Sequence, residues 1–191
     1  MTEPKSEHFE DILGPRPTRL QEVENFFYLA SQNGWAGGME GTVISERDDA
    51  NGTPEWKEVN LQFSFPHLGY LYVDRWGTDP DSGRLSGHTI ITYKSMPVWV
   101  MWTGGNTYNE DVYDFLQEVL LTTYQKQQFF GGRGPKEFRK GNLVYTNVFE
   151  GDFARFHGHE SIHYVKDDES LVFAGSHDYW GSSLVFLPKR S

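Results

Sequence analysis

The sequence predicts an α+β domain. The expected form is a curved, mostly antiparallel sheet built from two related β-meanders, each preceded by a helix packed on the sheet. Three observations lead there. Two segments repeat their apolar residues at helical spacing. Seven shorter segments, rich in aromatic and β-branched residues, lie between Gly, Pro, Asp or Asn. A seven-residue pattern with its flanking elements then occurs twice.

Along the chain, residues 1–18 are polar and contain Pro4, Pro15 and Pro17, with no charged-then-apolar signal segment. They read as a mobile tail, with residues 19–191 as one domain. The first helix is expected over Arg19 to Asn33, where Leu20, Val23, Phe26, Phe27 and Ala30 share a face and Gly34 follows as a stop. Asn51-Gly52 reads as a turn. Strands are expected over Asn60 to Phe65, Gly69 to Trp76, Gly87 to Tyr93 and Pro97 to Thr103. A second helix is expected from Asn109 to Tyr124, with Val112, Phe115, Leu116, Val119 and Leu120 as its stripe and Asn109 as its cap. Strands follow over Asn142 to Val148, Phe153 to Val165 and Ser170 to Ala174.

The repeat is Gly-His-x-x-Ile-x-Tyr, at Gly87 to Tyr93 and again at Gly158 to Tyr164. An apolar residue lies two positions before each Gly (Leu85 and Phe156), and an aromatic strand precedes and another strand follows each copy. Duplication would divide the chain into halves of about 19–105 and 106–185. Period-two alternation then sorts the side chains. Glu160 falls with Ile162 and Tyr164 on an apolar face, and Asp74 falls with Tyr70, Tyr72 and Trp76. A carboxylate on such a face is either paired or raised in pKa by desolvation.

Composition narrows the function classes. The 191 residues carry 27 acidic against 17 basic side chains, a formal charge of −10, which argues against coating nucleic acid or an anionic membrane. There is no cysteine, so thiol, disulfide and zinc-thiolate chemistry is excluded. No apolar run approaches the roughly 20 residues of a membrane span. Cytoplasmic localisation and no cofactor are the resulting expectations.

The agents left are carboxylates, histidines, tyrosines and arginine. Asp74 and Glu160 are the candidate acid–base pair; their structural alternative is a buried hydrogen bond. Asp152, in Glu150-Gly151-Asp152, reads as hairpin turn chemistry. Tyr72, Trp76, Tyr93, Trp99, Trp102 and Tyr164 are candidate ligand-binding aromatics, against the alternative that they fill the core. Arg133, in Gly131-Gly132-Arg133-Gly134-Pro135, sits in a locally basic stretch and could hold a carboxylate or phosphate; the alternative is a flexible linker. His157, His159 and His163 have strand spacing compatible with metal ligation, but a solvated face is the favoured reading and no metal is assigned.

A family resemblance runs through these residues. Tyr72-Val73-Asp74-Arg75-Trp76-Gly77, Gly87 and Tyr93-Lys94-Ser95-Met96-Pro97-Val98-Trp99-Val100-Met101 carry it. Arg133-Gly134-Pro135, Tyr145, Gly151-Asp152 and Phe156-x-Gly158-x-Glu160-x-Ile162 continue it. From Phe26 to Gly181 the chain resembles domain-of-unknown-function family 5680, a bacterial and archaeal family. The resemblance brings no established activity. Fusion of some members to helix-turn-helix regulators implies ligand sensing, although no such module fits in this chain. Gly87-His88-Thr89 and Met101-Trp102-Thr103-Gly104-Gly105 depart from the family pattern, as does the acidic stretch from Arg47 to Glu58. The leading expectation is a small-molecule-binding domain with an aromatic-lined pocket and buried carboxylates. The alternatives are a cofactor-independent isomerase, cyclase or hydrolase using Asp74 and Glu160, and an acidic interaction or inhibitor protein.

Overall fold

Among the described residues, two helices lie on one face of a single nine-stranded antiparallel sheet. A computed structural model describes residues 20–46, 55–64, 67–79, 81–106 and 108–185. The expected tail (1–18), the Asn51-Gly52 turn and Phe65 lie outside the described residues.

Helix α1 is Leu20–Asn33 and buries Val23, Phe26, Phe27 and Ala30 of the stripe that its spacing predicts, together with Tyr28, while Leu20 packs partly buried against the core. Gly34 ends it and opens a tight 3-10 turn, Trp35–Gly37. Helix α2 is Tyr113–Gln125, entered through a 3-10 turn at Glu110–Val112. Asn109 does not cap it with its side chain; its amide instead donates to the Tyr164 hydroxyl at 3.3 Å. No helix among the described residues is long and apolar enough to cross a membrane.

The strands are β1 (Thr42–Ser45), β2 (Trp56–Leu61), β3 (Tyr70–Thr78), β4 (Arg84–Tyr93), β5 (Met96–Asn106), β6 (Glu137–Lys140), β7 (Leu143–Asp152), β8 (Arg155–Val165) and β9 (Leu171–Ser183). Their order across the sheet is β1-β2-β3-β4-β5-β9-β8-β7-β6. The meanders β3–β5 and β7–β9 therefore meet along the β5/β9 seam. Strand β9 runs well past Ala174, because Gly175 and Gly181 do not interrupt it. The Phe156 ring occupies the space beside Gly181 where a side chain would stand, so that glycine serves packing. Strand β2 begins at Trp56 rather than Asn60, and Leu61 and Phe63 still pack on the core. Strands β1 and β6 occupy the two edges; β6 is short and charged, a composition that discourages pairing with another chain.

Register fixes which residues share the helix-covered face. One cross-strand row is Val59, Asp74, Thr89, Met101, Gly181 and Phe156. A second is Trp76, Gly87, Thr103, Tyr179 and Gly158, and a third brings Gly105, His177, Glu160 and Asn147 together. The core between helices and sheet is aromatic: Trp99 lies 4.9 Å from Phe27 and stacks on Phe153 at 5.2 Å. Such side chains each remove roughly 150–250 Å² from water, which is how a small sheet sustains two helices.

Candidate active or binding site at Asp74, Arg133 and Glu160

Glu160 is fully buried in the middle of the covered face. Its partners come from four places. Arg133 Nη2 forms an ion pair with Oε1. The Tyr108 hydroxyl donates to the same oxygen at 3.2 Å, and the Tyr145 hydroxyl donates to Oε2 at 2.7 Å. His177 Nδ1 stands 3.5 Å from Oε1, without hydrogen-bond geometry. Burial alone would raise the Glu160 pKa; the Arg133 charge, aided by His177, more than reverses this and holds the carboxyl well below its usual range. Burial depresses the His177 pKa, against the pull of Glu160, so the imidazole favours its neutral form.

The segment carrying Arg133 is a pinned plug, which overturns the reading of it as a flexible linker. Asn147 Nδ2 donates to the carbonyls of Phe130 (2.9 Å) and Gly134 (2.7 Å). The Tyr124 hydroxyl donates to the Gly132 carbonyl at 3.0 Å, and the Gly134 N–H donates to the Tyr145 hydroxyl at 2.9 Å. Gly131 and Gly132 both adopt positive φ (70° and 72°), and the ring of Phe27 and the sulfur of Met101 lie where a Gly132 side chain would point. The glycines thus let the loop press onto the sheet and deliver Arg133 to Glu160.

Asp74, on β3 and two strands from β5 at the seam, has a different environment. The Thr89 hydroxyl donates to its Oδ1 at 2.9 Å, a neutral partner. Burial pushes its pKa up to about 6, opposed by Thr89 and by the more distant Arg133 charge. A cavity of about 50 Å³ opens beside it between helices and sheet. Phe27 and Ser31 of α1, Trp35 and Ala36 of the 3-10 turn, Tyr72, Asp74, Thr89, Met101 and Thr103 of the sheet, Leu120 and Tyr124 of α2, and Arg133 form its wall. Two of these carry buried polar atoms without a partner, Ser31 Oγ and Arg133 Nε. The turn that closes the cavity is fastened to α2, where Gln117 Nε2 donates to the Trp35 carbonyl at 2.9 Å.

Of the residues singled out in the sequence, Tyr72, Asp74 and Arg133 converge on this cavity, and Glu160 lies behind Arg133 as its anchor. Trp76 shares the face but packs on Gly41 outside the cavity wall. Trp99 is core, its indole N–H donating to the Phe153 carbonyl at 3.2 Å. Tyr93 lies tilted against Tyr70, ring centres 4.8 Å apart, at one end of the sheet, and the Tyr164 hydroxyl donates to Asp111 at 2.6 Å near the other. Trp102 lies on the opposite, open face. Asp152 caps the β7–β8 turn by accepting from the Ala154 N–H at 2.9 Å. His157 and His159 sit on the open face beside Glu150 and Asp178, and among the described residues no cluster of three metal-ligating side chains occurs.

Sequence reasoning did not single out Tyr108, Tyr124, Tyr145, Ser31 or Trp35 for this site. Tyr145 and Tyr124 had a usable signal: each lies on the apolar face of its own strand or helix, where a hydroxyl needs a partner. Trp35 had none, because its place depends on how the turn after Gly34 folds back onto α2.

The shape and the site define a helix-covered antiparallel sheet with one ion-paired carboxylate and one desolvated carboxylate on its inner face. Residues 81–185, more than half of the chain, match the family described as domain of unknown function (DUF5680). The chain belongs to that family. Comparison with curated proteins and with solved structures gives no match.

Proposed function

We propose that this protein is a small-molecule-binding domain and that its site is the cavity at Asp74. The observation that carries this reading is polar chemistry left unfinished inside a cavity. Ser31 Oγ and Arg133 Nε–H have no partner, and Asp74 keeps a carboxylate in a setting that disfavours its charge. Each unpartnered buried group costs about 1–3 kcal/mol, so a bound polar molecule that satisfied them would recover that cost. The aromatic wall supplies the apolar contact expected of a ligand site. The same reading treats β3–β5 and β7–β9 as copies of one unit, supported by Thr89 and Glu160 occupying corresponding places on the covered face.

Native mass spectrometry of the purified chain should reveal a co-purified small molecule. A thermal-shift screen should find compounds that raise Tm in the natural chain but not in Ala36→Phe, which fills the cavity from the turn. Compounds that act equally on both chains would place the site elsewhere.

An enzymatic reading rests on a narrower base. Asp74, with a pKa of about 6, is poised to exchange a proton near neutral pH. Glu160 is occupied by Arg133, Tyr108 and Tyr145, so in this reading Asp74 works as the acid–base group and Glu160 as the positioning residue for Arg133.

A further inference from the structure

The charge balance around the cavity restricts what the cavity can hold. Arg133 lines it, but its guanidinium charge is matched by Glu160, which is further held by two tyrosine hydroxyls. The pair is therefore close to neutral as seen from the cavity. Asp74 makes no ion pair: Thr89 is its neutral hydrogen-bond partner, and the other groups around it are Val59 on β2, Tyr72 on its own strand, Tyr124 of α2 and Arg133, whose charge is already paired with Glu160. An anion entering here meets an uncompensated carboxylate. A cation meets that carboxylate plus Phe27, Trp35, Tyr72 and Tyr124, whose π-systems attract positive charge.

The second requirement is an acceptor. Arg133 Nε–H is buried and unpartnered. It is a donor with no acceptor capacity, so what satisfies it from the cavity must be an acceptor atom. The third requirement is size. A cavity of about 50 Å³ has room for a few groups the size of a water molecule, which needs about 10–15 Å³. Sugars, nucleobases and other ring systems exceed that.

We infer that the cavity recognises a small molecule, or the end of a larger one, in which an ammonium group and an oxygen acceptor lie a few bonds apart. The ammonium rests on Asp74 among the aromatic side chains, and the oxygen accepts from Arg133 Nε–H. This inference rests on the small-molecule reading above and narrows it to one chemistry. Amino alcohols and α-amino acids both present that chemistry, and the oxygen's charge tells them apart.

The test is calorimetric titration of the full chain at pH 7.5 with five probes. Ethanolamine and glycine carry both groups, propylamine carries the ammonium alone, and acetate and ethylene glycol carry oxygen alone. Binding by ethanolamine or glycine, with propylamine about tenfold or more weaker, is the expected result. The better of the two binders identifies an amino alcohol or an amino acid as the source. Asp74→Asn, checked for folding by its thermal transition, should weaken binding about tenfold or more. The natural chain should lose affinity as pH falls below about 6, where Asp74 gains its proton. Binding by acetate or ethylene glycol without the ammonium probes overturns the ammonium assignment while leaving a small-molecule site in place. Failure of all five overturns it as well, and the broader reading then stands or falls on the compound screen and the Ala36→Phe comparison.

Discussion

Each face of the sheet carries an Arg–Glu pair, and the two pairs have opposite energetics. On the covered face Arg133 meets Glu160, which is fully buried. On the open face Arg75 meets Glu58, donating from Nε at 2.7 Å, with Arg75 still substantially exposed to water. The same alternating strands produce both, since Asp74 and Arg75 are neighbours pointing opposite ways. The covered pair is embedded in a tyrosine network, so each of its members depends on the others. The open pair belongs to a cross-strand row of Glu58, Arg75, His88, Trp102, Trp180, His157 and Glu150, on the side that the helices leave uncovered. Burial, rather than the identity of the residues, decides which pair the fold requires.

The largest expected effect tests this contrast. Glu160→Gln leaves the Arg133 guanidinium buried without its counter-charge and should cost about 3–5 kcal/mol in urea unfolding at pH 7. Glu58→Gln should cost less than about 1 kcal/mol, because the Arg75 guanidinium left behind is 41% exposed and water can solvate it. If Glu160→Gln proves too unstable to measure, the double variant Glu160→Gln, Arg133→Met should recover most of the loss by removing the stranded charge. Equal costs for Glu160→Gln and Glu58→Gln would abolish the distinction between the faces.

Within the covered face the two carboxylates should respond to pH in opposite directions. Asp74 has its pKa raised from 3.8 to about 6, so the folded chain holds that proton more tightly than the unfolded one. Its contribution to stability falls as pH rises from about 4 to about 6 and then levels off. Asp74→Asn keeps an acceptor for Thr89 and has no charge to desolvate. It should be more stable than the natural chain by about 2–3 kcal/mol at pH 8 and equal to it near pH 4. Glu160 has its pKa lowered; its stabilisation is complete above the ordinary carboxylate range and drains away as pH falls below about 4. A pH-independent difference between Asp74→Asn and the natural chain would show that Asp74 is not desolvated.

Much of this arrangement was legible in the sequence because it follows from local period. The stripe of Val23, Phe26, Phe27 and Ala30 located α1, and alternation put Asp74 beside Tyr72 and Glu160 beside Ile162. What escaped has a physical cause in each instance. Trp99 and Trp102 stand three positions apart on one strand, so period two separates them onto opposite faces, but an indole suits either face and the sequence does not say which one the helices cover. Gly175 and Gly181 resemble strand ends, yet they stay in β9 because Tyr108 and Phe156 need the space beside them. The Gly131–Pro135 loop resembles a linker by composition. Its rigidity comes from Tyr145 and Asn147, whose hydroxyl and amide reach it only once β7 is in the sheet. The partners that make the site are therefore tertiary, while the residues that carry its charge were visible one at a time.

The smallest expected effects belong to the open face. Trp102 and Trp180 are 41% and 53% exposed, and their rings stack across the β5/β9 seam at 6.2 Å. Much of each indole is already in water, so Trp102→Ala and Trp180→Ala should each cost about 1 kcal/mol or less. A double-mutant cycle should give a coupling of about 0.5–1 kcal/mol for the stacked pair. That coupling is the seam's own share of cross-strand stabilisation, separate from the core on the other side. A loss of several kcal/mol from either substitution would mean that these indoles are shielded from water in solution. The open face would then be a covered one, and the asymmetry between the two Arg–Glu pairs would need to be measured again with that cover in place.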